Sequence, residues 1–97
     1  MSKPKISALI ATAGKRPETL RTAVRSMFDQ DYTGHIQVIV VFDYVEIDDL
    51  KDLEVPQNRS LLTVVNNHSK GLAGGRNTGL SVAEGSYIAF CDDDDYW

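Results

Sequence analysis

The apolar positions of this chain come in short runs that alternate between an extended and a helical period. Ile6-Ser-Ala-Leu-Ile-Ala11 is a compact apolar run and reads as a buried strand. Thr12-Ala-Gly-Lys-Arg16 follows as a loop. Pro17 suits the first turn of a helix, and Glu18 favours its positive end. Leu20, Val24, Met27 and Phe28 then recur at helical spacing to about Gln30, and Gly34 breaks the pattern. Gln37-Val-Ile-Val-Val-Phe42 is nearly continuous and β-branched, the pattern of a strand covered on both faces of a parallel sheet. Val45 to Leu53 reads as a short helix or an irregular turn, and Pro56-Gln-Asn58 as a turn. Leu61-Leu-Thr-Val-Val65 is a third strand, and Asn66 to Gly71 a loop. Leu72 to Ala83 has helical spacing, with Gly85 placed to end it. Ser86-Tyr-Ile-Ala-Phe-Cys91 is a fourth strand, with four aspartates directly behind it.

This alternation implies an α/β fold with right-handed crossovers and a parallel sheet. Ligands of such sheets bind beyond the carboxyl ends of the strands, where strand order reverses. For the order 3-2-1-4 the reversal lies between strands 1 and 4. The crevice is then framed by two loops, the basic, glycine-containing Thr12–Arg16 and the acidic Asp92–Asp95.

Composition narrows the class. The 97 residues make one domain at most, and 42% hydrophobic with 25% charged residues is an ordinary globular balance. No apolar run approaches the roughly 20 residues of a membrane-spanning helix. Met1 to Lys5 leads straight into the first strand, so no secretory leader is expected. Cys91 is alone, which excludes an internal disulfide and a multi-cysteine zinc site and fits a reducing, cytoplasmic setting. The net charge of -4 argues against a nucleic-acid partner. Six Lys or Arg (Lys3, Lys5, Lys15, Arg16, Arg21, Arg25) lie in the first 30 residues, whereas residues 43–54 and the carboxyl end are acidic. Most of these charges read as solvated surface.

Three features carry chemistry. Adjacent carboxylates at Asp92-Asp93-Asp94-Asp95 repel one another at the end of a buried strand unless a cation compensates. A hard divalent ion does so, and magnesium is commonly held by one or two carboxylates plus substrate phosphates. Side chains alternate in an extended segment, which puts Asp92 and Asp94 on one side. A solvated acidic tail would not need the Tyr96-Trp97 that follows. The second feature, Gly71-Leu-Ala-Gly-Gly-Arg-Asn-Thr-Gly79, offers small residues at a helix start, where anions are attracted. Arg76 there can hold a phosphate or the polar edge of a base; close helix–sheet packing explains the same glycines equally well. The third is Asp43 at the end of strand 2, suited either to accepting hydrogen bonds from a ribose or base N–H or to capping a turn. His35 and His68 read as surface histidines without metal-ligand partners, and Cys91 as a buried small hydrophobe.

Taken together these segments resemble the N-terminal half of the family 2 glycosyltransferases, which have the GT-A fold. Ile6 to Arg16 with Pro17-Glu-Thr-Leu-Arg21 resembles the family's first strand and "RP…L" helix start. Ser26-Met-Phe-Asp-Gln-Asp-Tyr32 resembles "S…Q.Y", and Gln37 to Asp43 is similar to "EIIVVDD". Gly71 to Gly79 resembles "GG…ARN.G". Ala83 to Trp97 resembles "A.GEYIAFLDDDD.W", which contains the DXD-type metal motif. The chain departs at Ala11-Thr12-Ala13-Gly14, where the family often has Pro-Thr-Tyr-Asn, and at Phe42-Asp43-Tyr44-Val45 in place of "DDGS". It thereby lacks one ring and one acid, and Tyr44 offers aromatic surface instead.

The resemblance implies a Rossmann-like parallel sheet of order 3-2-1-4 with flanking helices, residues 1–97 forming a single partial GT-A domain. It also implies an inverting, metal-dependent enzyme that transfers a sugar from a nucleoside-diphosphate donor, a UDP-sugar in the first instance, to an acceptor hydroxyl. The nucleotide-sugar contacts it assigns are Ala11, Thr12, Arg16, Asp43 (base), Arg76 and Asp93 (ribose), with Mn2+ or Mg2+ on Asp94 assisted by Asp92. The general base and acceptor site are expected after Trp97, so the 97-residue chain alone is expected to lack transferase activity. The final strand is expected to present an open edge that favours self-association. Two other classes remain at this point. A sugar-phosphate nucleotidyltransferase would need a G-x-R loop that Ala13-Gly-Lys-Arg-Pro17 only faintly echoes, and a small nucleotide- or metal-binding module would need no acceptor half.

Overall fold

The computed structural model describes residues 3–43, 46–48, 50–66 and 72–93, without the side chains at 72, 73, 75 and 76. The element order is β1 (Ile6–Thr12), α1 (Pro17–Phe28), β2 (Ile36–Phe42), β3 (Arg59–Val65), α2 (Leu72–Val82) and β4 (Tyr87–Asp92). All strands are parallel, in the order β3-β2-β1-β4. This is the expected arrangement, with its reversal between β1 and β4.

Strand alternation divides the core into two. The side chains of Ala8, Ile10, Val38, Val40 and Phe42 face α1 and pack with Leu20, Ala23, Val24, Met27 and Phe28. Leu9, Ile39 and Val41 point the other way and pack against Val64, Val82 and Ala83. Every residue of β2 is buried, which explains its unbroken apolar run. The edge strands are more open. On β4, Tyr87, Ile88 and Phe90 remain exposed.

Residues 46–48 and 50–58 contain no helix. Leu50 instead takes φ 55°, a left-handed conformation that costs a branched residue roughly 1 kcal/mol. Burial of its side chain (1% exposed) and a 3.1 Å hydrogen bond from its N–H to Asp48 Oδ1 hold it there. Arg21 on α1 secures the same segment, donating to both oxygens of Asp52 and pairing with Asp48 at 2.9 Å. Burial opposes but does not overcome the pull of these carboxylates, and the guanidinium pKa is raised. The acidic stretch is therefore partly structural rather than plain solvated surface.

Arg59, at the start of β3, donates to the carbonyls of Phe28, Gln30, Tyr32, Gly34 and Asn58. The loop from α1 to β2 is wrapped around this one guanidinium. Helix α2 ends at Val82, so Gly85 is not its terminator. Its role is close approach, because a Cβ at Gly85 would lie 2.5 Å from the Ser7 backbone nitrogen. There the Gly85 N–H donates to Ser7 Oγ at 2.8 Å, and the Ser7 hydroxyl donates to Gln37 Oε1.

His35 is half-buried, with Nε2 2.9 Å from Ser60 Oγ, rather than an ordinary surface histidine. Burial and the nearby positive charges of Lys5 and Arg59 lower its pKa. His68 lies outside the described residues. Cys91 is half-buried and packs against the α1-side core. No helix among the described residues is long and apolar enough to cross a membrane.

Candidate functional site

The carboxyl ends of the four strands are laced together by polar groups, and Thr12 is at the centre. Its carbonyl accepts the Asp43 N–H at 2.8 Å, joining β1 to the end of β2. Its hydroxyl donates to Asp93 Oδ2 at 2.7 Å, joining β1 to the end of β4. The same Oγ1 accepts the N–H of Gly14, which has φ 75°, so the loop after β1 curls back over its own strand end. Thr12 is itself buried (3% exposed), and its hydroxyl acts on Asp93.

Arg16 closes this crevice from outside. Its guanidinium donates to Asp93 Oδ1 at 2.9 Å; the arginine side chain is 54% exposed and that of Asp93 13%. The basic loop and the acidic run thus meet at the point where strand order reverses. Asp92 lies in register with Ala11 and is exposed, whereas Asp93 turns inward, so alternation holds at the strand end. Such a half-exposed ion pair contributes about 1 kcal/mol at most. It is better suited to parting than to holding the fold.

One strand further, Asp43 Oδ1 accepts a 2.7 Å hydrogen bond from the Asn66 amide at the end of β3. Asn66 Oδ1 in turn accepts from the hydroxyl of Thr78 on α2 at 2.8 Å. In sequence Asn66 marks only the start of a loop, since nothing in the local pattern points to a partner 23 positions away. Arg76 lies on α2, and its side chain is outside the described set, as are Tyr44, Gly71 and Asp94 to Trp97. Gly79 of the same motif has a packing role: a Cβ there would come within 2.4 Å of Leu9 Cδ2.

The expected contacts Ala11, Thr12, Arg16, Asp43 and Asp93 therefore gather along one edge of the sheet, Asp43 reached through the Thr12 backbone. Among the described residues no group of three or more His, Cys, Asp or Glu converges on a metal position, Asp94 being outside them. Asp92, exposed at the end of β4, offers the hard carboxylate oxygen that a divalent ion takes, whereas both oxygens of Asp93 are engaged by Thr12 and Arg16.

Known proteins share the sequence pattern and the fold of this chain. The Escherichia coli UDP-Glc:alpha-D-GlcNAc-diphosphoundecaprenol beta-1,3-glucosyltransferase WfaP is 34% identical over 93% of this chain and 36% of its own length. A Campylobacter jejuni GalNAc(5)-diNAcBac-PP-undecaprenol beta-1,3-glucosyltransferase is 32% identical over 95% of this chain and 30% of its own. The chain thus spans about a third of the length of these relatives. The structure of the mannosyltransferase PcManGT from Pyrobaculum calidifontis, in complex with GDP-Man and Mn2+, matches 100% of this chain and 29% of its own. Its TM-score is 0.78 at 22% identity, a likeness of fold. The model described as "Glycosyl transferase family 2" matches residues 7–97. By this match and the GT-A architecture of its sheet, the chain belongs to glycosyl transferase family 2.

Proposed function

We propose that residues 1–97 form the donor-binding half of a metal-dependent, inverting glycosyltransferase that moves a sugar from a nucleoside diphosphate, UDP in the first instance, to an acceptor hydroxyl. The observation that carries this reading is the meeting of Thr12, Arg16 and Asp93 at the β1–β4 reversal, with Asp43 beside it. Asp43 accepts an N–H from the base. Asp93, held in orientation by Thr12, accepts from the ribose hydroxyls. Arg76 and Arg16 take the phosphate oxygens, and Arg16 gives up Asp93 to do so. Asp94 with Asp92 would hold Mn2+ or Mg2+. When bound, such an ion offsets the negative charge that builds on the departing diphosphate.

The acceptor site and the base that takes the acceptor's proton are assigned to the remaining length of the parent protein. The acceptors named for the two glucosyltransferase relatives support a saccharide on a lipid diphosphate, and hence a place for the reaction at the cytoplasmic membrane face. The open edge of β4 supports self-association of the isolated chain.

Calorimetric titration with UDP, GDP and dTDP, each with and without Mn2+, tests the donor site. Metal-dependent binding that disappears in Asp94→Ala is expected. Metal-independent binding, or none, would refute the reading.

A further inference from the structure

We propose that Asn66 is a positioning residue for the Asp43 carboxylate and, through it, sets which nucleobase the site accepts. The inference rests on the donor-site reading above and names a residue to which that reading gives no part. Asn66 and Thr78 are each only 3% exposed, so they form a buried polar pair that ends on the half-buried Asp43. A carboxylate can only accept, so the Asn66 NH2 faces Asp43 Oδ1 at 2.7 Å, and its carbonyl oxygen faces Thr78 Oγ1 at 2.8 Å. The Thr78 hydroxyl also lies 3.1 Å from the Gly74 carbonyl, which anchors it to the first turns of α2. The Asn66 backbone N–H donates to the Phe42 carbonyl at 2.8 Å, so the residue's main chain is fixed to β2 next to Asp43. Both ends of the amide and its backbone are thus committed, and they fix where Asp43 Oδ1 lies.

The chemistry of this arrangement points to a function beyond capping. A turn cap needs only local backbone donors within a few residues. Here the carboxylate at the lip of the crevice is held by a side chain from the next strand, itself held by a helix. A carboxylate fixed in this way offers acceptor lone pairs in a set direction. It therefore favours bases with a ring N–H on their pairing edge, such as uracil, thymine or guanine. Cytosine presents an acceptor at the corresponding ring nitrogen and meets lone pair with lone pair. Loosening the carboxylate weakens the favoured contact and lets the group turn away from the disfavoured one, so discrimination falls together with affinity.

The test compares UDP, CDP and inorganic pyrophosphate, each with Mn2+, on the 97-residue chain by calorimetry, with thermal melting alongside. Asn66→Ala is expected to weaken UDP binding roughly tenfold, the value of one charge-assisted hydrogen bond, and to reduce the UDP:CDP ratio by a similar factor. Pyrophosphate binding is expected to stay within about twofold, since it does not touch Asp43. In an Asp43→Asn background the Asn66→Ala change should add almost nothing. Thr78→Val, which keeps the side-chain shape and removes the hydroxyl, should move UDP binding the same way by about threefold. It decides the matter if Asn66→Ala melts too early to titrate. An unchanged UDP:CDP ratio, or equal losses for UDP and pyrophosphate, would overturn the proposal and leave Asn66 a scaffold residue. A parent chain that binds pyrophosphate without preferring UDP to CDP would remove Asp43 from base recognition and this inference with it. A parent chain that binds neither would refute the donor site itself.

Discussion

Replacing Arg59 with methionine keeps most of the side-chain volume and removes the whole guanidinium. Five hydrogen bonds to carbonyl oxygens are lost, at 2.8 to 3.1 Å, and four of them are shielded in part from solvent. A hydrogen bond from a charged donor is worth about 1.5–3 kcal/mol when its partner is left dry. The carbonyls of Phe28, at the end of α1, and of Gln30, Tyr32 and Gly34, in the loop after it, can turn partly to water, so about half of the lower figure survives for each. The four together then lose about 3 kcal/mol. Against a total stability of roughly 5–15 kcal/mol for a chain this size, that is a large fraction. It corresponds to a fall in Tm of about 12–24 °C. Circular dichroism melts of the two proteins at matched concentration measure it, with urea unfolding as a second reading. Arg59→Lys should recover less than half, because one ammonium cannot reach carbonyls on both sides of the loop. Nucleotide affinity of the folded fraction should be unchanged, since Arg59 and Asp43 lie at opposite ends of the sheet. A Tm loss below about 4 °C would refute the clamp and show that water serves these carbonyls equally well.

Gly85→Ala should cost about 2–3 kcal/mol in urea unfolding, because the added carbon meets the Ser7 main chain rather than a side chain that can move aside. A cost below about 0.5 kcal/mol would mean that the lead-in to β4 shifts freely. Thr12→Val keeps the β-branched shape and removes the donor to Asp93, so nucleotide binding should weaken by roughly three- to tenfold with a smaller loss of stability. Unchanged affinity in calorimetry would take Asp93 out of the ligand contact. His35 prefers its neutral form in the fold, with a pKa below the ordinary 6.5. The unfolded chain therefore binds the proton first as pH falls, and the stability His35 contributes is present above about pH 6.5 and declines below it. His35→Gln should flatten the stability profile between about pH 7 and pH 5; an unaltered slope in pH-dependent urea unfolding would contradict this.

Much of the architecture was written in the spacing of apolar residues. The buried run at Gln37 to Phe42 marked the interior strand, and Leu20, Val24, Met27 and Phe28 marked the helix face that covers it. Strand order then placed the Thr12–Arg16 loop beside the aspartates, and the structure joins them through Asp93. Three elements were not legible in that way. Arg59 binds main-chain carbonyls, which every residue has, so no side-chain pattern announces its partners. Asn66 meets Asp43 because β3 pairs with β2, and Thr78 meets Asn66 because α2 folds back over the sheet. Gly85 looked like a helix stop because its need for space comes from Ser7, 78 positions earlier. Each of these depends on groups distant in sequence, whereas periodicity reports only near neighbours.

The crevice draws its two facing groups from almost opposite ends of the polypeptide, Thr12 and Asp93 being 81 positions apart. Nothing short of seating the outermost strand can bring them together. On the donor-site reading proposed above, a ligand that grips Asp93 also pulls β4 onto β1, by mass action, and a β4 that detaches takes Asp93 away from Thr12. Saturating nucleotide should therefore slow hydrogen exchange most along β4, the strand with least cover of its own.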